Sequence, residues 1–186
     1  MPRPERLRVE NGLYHVFTHG VDGRIIFRDD WDYVALMASA EKVHELHGWK
    51  VLMFCVLGTH YHYLVQTPQA DLPQGMWRIN IGYSRWFNKR YGMRGHVFDR
   101  RYGARLIANE GHSLEVVRYI ALNPCEAGVC RRPEDWSWSS YAGMLGLADL
   151  PPFVDAAEVL ASFGSGDVGR ARLRTFVEDG LARSAA

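Results

Sequence analysis

Thr59-His60-Tyr61-His62-Tyr63-Leu64-Val65-Gln66 is the stretch from which the chain is best read. It follows Val51–Leu57, an apolar run broken only at Gly58. Both pieces have the length and the β-branched or aromatic content of strands. The short link between them favours an antiparallel pair. Side chains alternate across a strand, so His60, His62 and Leu64 face one way and Tyr61, Tyr63 and Val65 the other. Two imidazoles then lie side by side, within reach of one divalent metal ion. A His-x-His pair is weak evidence alone, since a chain with eight histidines has many surface and core uses for them. No His-Glu-x-x-His and no Cys-x-x-Cys pattern occurs, so any further ligand has to come from elsewhere in the fold.

Towards the N-terminus, Leu13–Thr18 reads as a strand with Leu13, His15 and Phe17 on one face. Gly20–Gly23 is a turn. Asp29 or Asp30 caps a helix to about His47, with Trp31, Val34, Met37, Ala38 and Val43 as its apolar positions, and Gly48 ends it. Towards the C-terminus, Leu72, Met76, Ile79, Tyr83 and Phe87 recur at helical steps and predict a helix over Leu72–Tyr91. Val97–Ala108 reads as one strand, or as two around Gly103. Ser113 is the expected N-cap of a further helix, which Pro124 should end near Asn123. Positions four apart share a helix face, so Glu115, Tyr119 and Asn123 form one stripe. A phenol and a carboxamide would project from it side by side. Beyond Gly128 come Trp136-Ser-Trp138-Ser-Ser-Tyr141 and two short helical stretches, about 155–163 and 168–181. The expected division is a main domain over 1–145 and a small helical C-terminal extension over 146–186 packed on it.

The 186 residues are 47% hydrophobic and 23% charged, ordinary values for a globular chain that can bury a sizeable core. Three cysteines argue against a disulfide framework and fit a reducing cytosol. No apolar signal core follows the N-terminal residues, and no run approaches the length of a membrane span. The expected location is therefore cytoplasmic, with no membrane partner. The net charge of +1 hides an uneven distribution. Met76–Leu106 holds eight basic residues and one acid, net +7, whereas Glu134 to the end carries −4. The basic segment is interleaved with Trp77, Tyr83, Trp86, Phe87, Tyr91, Phe98 and Tyr102. Guanidinium groups suit phosphates and aromatic faces suit unstacked bases, so the pattern fits nucleic acid, or equally a solvated helix face with its aromatics turned inward.

Several stretches together resemble the single-tyrosine HUH transposases of the insertion-sequence type, and most of all the REP-associated tyrosine transposases. They are Tyr14-His-Val-Phe-Thr-His-Gly20, Arg24-Ile-Ile-Phe-Arg-Asp-Asp30, His60-Tyr-His-Tyr-Leu-Val65, Arg118-Tyr-Ile-Ala-Leu-Asn-Pro124 with Ala127-Gly-Val129, and Trp138-Ser-Ser-Tyr141. Two departures stand out. Thr59 replaces the family's usual Asn before the first His, and Thr18-His19-Gly20 replaces its usual Asn-Arg-Gly.

The resemblance implies an α+β, ferredoxin-like or RRM-like antiparallel sheet with helices on one face. It implies an enzyme that nicks and rejoins single-stranded hairpin DNA, as monomer or homodimer. Tyr119 would be the nucleophile, forming a covalent 5′-phosphotyrosine. His60, His62 and Asn123 would hold Mg²⁺ or Mn²⁺. Arg78, Arg85, Arg100, Arg101 and Arg105 are the expected phosphate contacts. The phenol needs a proton acceptor, for which the metal, Arg118, His112 and Glu115 are the candidates. The alternative is a host-retained protein that binds a repeat hairpin without cutting it.

Overall fold

The computed structural model describes residues 8–99 and 101–184, so Arg100 lies outside the described residues. The regular elements are β1 (Gly12–His19), α1 (Asp30–His47), β2 (Lys50–Leu57), β3 (His60–Thr67), α2 (Leu72–Tyr91), β4 (Gly103–Leu106), α3 (Glu110–Glu126), α4 (Tyr141–Met144), α5 (Ala157–Ala161) and α6 (Gly166–Ser184). Every pair in the four-stranded sheet is antiparallel, and the order is β2-β3-β1-β4. Through β4 this is the βαββαβ arrangement of ferredoxin-like domains.

Helices cover both faces of the sheet, not one. Tyr14, Val16, Val51, Phe54, Val56, Tyr61, Tyr63 and Val65 pack under α1 and α2. Leu52, Cys55, Leu57 and Leu64 pack under α3, which is backed in turn by α6. This explains why Val51–Leu57 is buried at every position and lacks alternation: a strand covered on both sides has no polar face. The remaining edge of β2 is covered too. Val56 N–H donates to Trp138 O (2.9 Å), Ser140 N–H donates to Phe54 O (3.1 Å), and the Trp136 indole donates to Val56 O (2.9 Å). The Trp- and Ser-rich stretch therefore shields a sheet edge that would otherwise invite another strand.

Local signals fix most boundaries. Asp29 caps α1 through a reciprocal capping box with Asp32, and Gly48 ends it at φ +66°. The inward face of α1 is only partly the expected one, with Val43 buried and Met37 packed on the core as expected. Tyr33, Leu36, Ala40 and Val43 are buried, while Trp31 and Val34 are exposed. Asp32 is fully buried because the Arg28 amide, Arg90 and Tyr91 all donate to it. Two further expectations need correction. The strand over 97–108 shrinks to β4 and a single antiparallel bridge of Phe98 to Gly20, while the Val97 and Phe98 side chains fill the core, Phe98 beside Tyr83. α3 begins three residues before Ser113, with Asn109 as N-cap accepting from His112 N–H, and it continues past Pro124 to Glu126. Leu122, Asn123 and Pro124 are buried there, and that packing holds the last turn despite the missing amide.

α2 is docked on the Trp49 indole, whose Nε1 donates to Asp71 Oδ1 (2.8 Å). A Cβ on Gly75 would lie 2.1 Å from Trp49 Cζ2. Gly75→Ala should therefore destabilise by about 2 kcal/mol, although helix propensity alone favours Ala by about 1 kcal/mol. The expected drop in Tm is about 5 °C. An unchanged or raised Tm would contradict this contact.

Candidate active site

β1 and β3 pair so that His19 lies opposite His60, Phe17 opposite His62, and His15 opposite Leu64. These residues share one face by the alternation of the strands. α3 crosses the same face. It places the Tyr119 ring edge-on to His62 and to His15, with centroids 5.3 and 5.7 Å apart. One turn on, Asn123 Oδ1 stands 3.0 Å from His60 Nε2. Tyr119 is 41% exposed while Asn123 is buried, so the phenol opens to solvent above a closed floor. α6 holds α3 in place. Leu173 and Val177 are buried against it, and a Cβ on Gly180 would stand 2.7 Å from both Arg118 and Leu122. Only glycine lets the two helices approach this closely.

The imidazoles are kept neutral. Burial pulls His62 down to about 2, helped by His15, His60 and His19 around it. Burial also lowers His15 to about 4, with the Arg105 and His112 charges adding to the effect. His60 is lowered by burial too, against the hydrogen bond its Nε2 donates to Asn123 Oδ1. Neutral imidazole is the metal-binding form. The Tyr119 phenol is held above the usual tyrosine range by partial burial and then by Glu126, against the opposing influence of Asn123 and Arg105.

The candidate proton acceptors divide. Arg118 is ion-paired with Glu115 and lies over the Phe176 ring at 4.4 Å, so the two side chains are committed to each other and Arg118 also to α6. His112 Nδ1 faces the Ala108 amide at 3.3 Å. Arg105 stands opposite His15 on β4, and its charge acts on both His15 and Tyr119. The expected arginine track is split between faces. Arg78, Arg85 and Arg101 line a groove of about 790 Å³ between α2 and the loop before β4, together with Trp77, Phe98 and Tyr102. Arg105 sits with Tyr119.

His15, His19 and Phe17 were not among the expected site residues. His15 and Phe17 had been placed on one strand face, but linking that face to His62 requires the β1–β3 pairing. His19 stacks on His60 with centroids 5.0 Å apart.

The residues fit a divalent ion. His62 Nε2 is buried with no hydrogen-bond partner, as a metal donor would be before binding. His60 Nε2 and Asn123 Oδ1 are 3.0 Å apart, the spacing of neighbouring ligands about 2.1 Å from an octahedral ion. The set is two nitrogens and one neutral oxygen, which suits Mn²⁺ and tolerates Mg²⁺.

A ferredoxin-like sheet with two histidines beneath a helix-borne tyrosine defines the class. Residues 8–123 match the family described as IS200-like transposases, and the chain belongs to that family. A Haemophilus influenzae protein named as a REP-associated tyrosine transposase is 29% identical over 126 residues, covering 59% of this chain and 69% of its own length. Among solved structures, a REP-associated tyrosine transposase bound to a REP hairpin superposes with a TM-score of 0.67 at 19% identity. The match covers 84% of this chain and 94% of that one, and it shows a shared fold.

Proposed function

We propose that this transposase-family chain is a divalent-metal-dependent endonuclease and strand transferase for single-stranded hairpin DNA. The observation that carries the reading is the seating of Tyr119 against His62 while Asn123, on the same helix, meets His60. One helix thereby brings a nucleophile and a ligand onto the histidine face.

His60, His62 and Asn123 would hold Mg²⁺ or Mn²⁺, and bound metal supplies charge stabilisation at a phosphate oxygen. Tyr119 Oη attacks the phosphorus and the P–O3′ bond breaks. The products are a 5′-phosphotyrosine and a free 3′-hydroxyl, with the phenol proton passing in net terms to the leaving oxygen. The phosphoester energy stays in the covalent link, so the strand can be rejoined. Arg105 favours the developing phenolate by its charge. The partly exposed ring leaves room for a strand to enter.

The test is a labelled hairpin substrate incubated with Mn²⁺ and run on a denaturing protein gel. Label should migrate with the wild-type protein and not with Tyr119→Phe. Tight hairpin binding with no labelled band under any divalent metal would instead support the non-cleaving reading.

The groove lined by Arg78, Arg85 and Arg101 is the proposed path of the phosphate backbone. Replacing Arg78 and Arg85 by Gln should weaken binding alike for many sequences. It should also flatten the dependence of log K on log salt by about 2. An unchanged slope would place the path elsewhere.

A further inference from the structure

His15 is nearly sealed from solvent, and its Nε2 lies 3.0 Å from His62 Nδ1. The contact is diagonal across the β1–β3 ladder, since His15 pairs with Leu64 and Phe17 with His62. Between two neutral imidazoles, one facing nitrogen carries the proton and the other accepts it. The two arrangements differ at both far nitrogens, His15 Nδ1 and His62 Nε2, and the second of these is the one buried without a partner. If His15 donates, His62 must carry its own proton on Nε2. Nε2 is buried with no hydrogen-bond partner in either arrangement, at a cost of about 1–3 kcal/mol, but an N–H there repels a cation whereas a lone pair binds one. If His62 donates from Nδ1, Nε2 is left as a bare, buried lone pair. Only the second arrangement leaves a ligand.

We infer that His15 is a positioning residue: it accepts the His62 Nδ1 proton, fixes the His62 tautomer and ring angle, and so presents the Nε2 lone pair to the metal. The inference rests on the proposed role of His62 as a ligand. The role is the one that a carboxylate or a backbone carbonyl plays behind many metal-bound histidines. Here the acceptor is a second imidazole. Phe17 flanks the pair, its ring tilted against His62 and His15 at 5.9 and 5.5 Å. Phe17 is itself seated over Gly103, where a Cβ would come within 2.3 Å of its ring.

Two variants separate positioning from packing. His15→Phe keeps the ring volume and removes the acceptor. His15→Gln sets an amide oxygen near the place of Nε2 and restores it. The first readout is the nitrogen-15 and proton long-range correlation of the imidazoles in metal-free protein. It should show His62 protonated at Nδ1 in the wild type and in His15→Gln, but not fixed so in His15→Phe. The second is Mn²⁺ affinity by electron paramagnetic resonance. His15→Phe should bind about 10–100-fold more weakly, with His15→Gln recovering most of the loss. Thermal unfolding of each variant checks that it is folded.

A wild-type His62 protonated at Nε2 would overturn the inference. So would Mn²⁺ affinity that is the same in His15→Phe as in the wild type. If His62→Ala leaves Mn²⁺ binding unchanged, the metal reading itself fails and the positioning role fails with it. The His62→Ala measurement tells this outcome from the other two.

Discussion

Tyr119→Phe should lower cleavage of a hairpin substrate by on the order of 10⁴-fold or more, the scale of removing a covalent nucleophile. Hairpin affinity should stay within about twofold, because the ring and its edge contacts to His62 and His15 remain. The reason lies in how the phenol is placed. The ring is set against the histidines while α6 fixes the helix behind it, so a phenol acting as nucleophile would be positioned before substrate arrives. Its proton is held more tightly than in a free tyrosine, so positioning alone does not make it reactive. In the proposed mechanism the charge of Arg105, and that of a metal held by His60, His62 and Asn123, would make up the difference. Retained cleavage in Tyr119→Phe would mean that water is the nucleophile and that the tyrosine only packs.

The second large effect concerns acid. In metal-free protein, His15 is depressed to about 4 in the folded state from an ordinary value near 6.5, and His62 is depressed further. Above about pH 6.5 the folded and unfolded chains both hold these rings neutral, and the full contribution to stability is present. Below that, the unfolded chain takes up protons that the folded chain refuses, so stability falls as pH drops towards 4. His15 alone accounts for about 3 kcal/mol by pH 4, with His62 adding to it. Guanidinium unfolding with EDTA present, at pH 7 and pH 4.5, measures the loss. His15→Phe should lose markedly less than the wild type over that interval. Parallel losses in the two proteins would show that the buried histidines do not titrate this way.

How far the sequence led depended on whether a signal was local. The hydrophobic steps Leu72, Met76, Ile79, Tyr83 and Phe87 became the buried face of α2, and Gly48 and Gly92 ended their helices in left-handed conformations. Those features need only neighbours along the chain. On α1 the spacing points to Val43 and Met37 correctly but to Trp31 and Val34 wrongly, because two overlapping sets keep helical spacing and tertiary contact selects the one holding Asp32. Pro124 was expected to end α3, and burial of its turn overrode the local rule.

For the site, Tyr119, Asn123, His60 and His62 could be named from motif order, and the fold places them on one face. His15 and His19 could not be reached in that way. Their partners lie more than forty residues along the chain and meet them only through strand register. Closeness in sequence also misled. Arg101 and Arg105 are four residues apart, yet one lines the groove beside α2 and the other stands near Tyr119.

The most direct test of the central claim is mass spectrometry of the trapped adduct. Wild-type protein is incubated with a single-stranded hairpin and Mn²⁺, digested with nuclease, and cleaved with trypsin. Cutting after Arg118 and Arg131 releases Tyr119–Arg131, a peptide with a single tyrosine, so its mass alone assigns the site. The account predicts that this peptide gains a nucleotide linked through its 5′-phosphate. An unmodified Tyr119–Arg131 peptide alongside cut DNA, or a nucleotide found on another peptide, would contradict it.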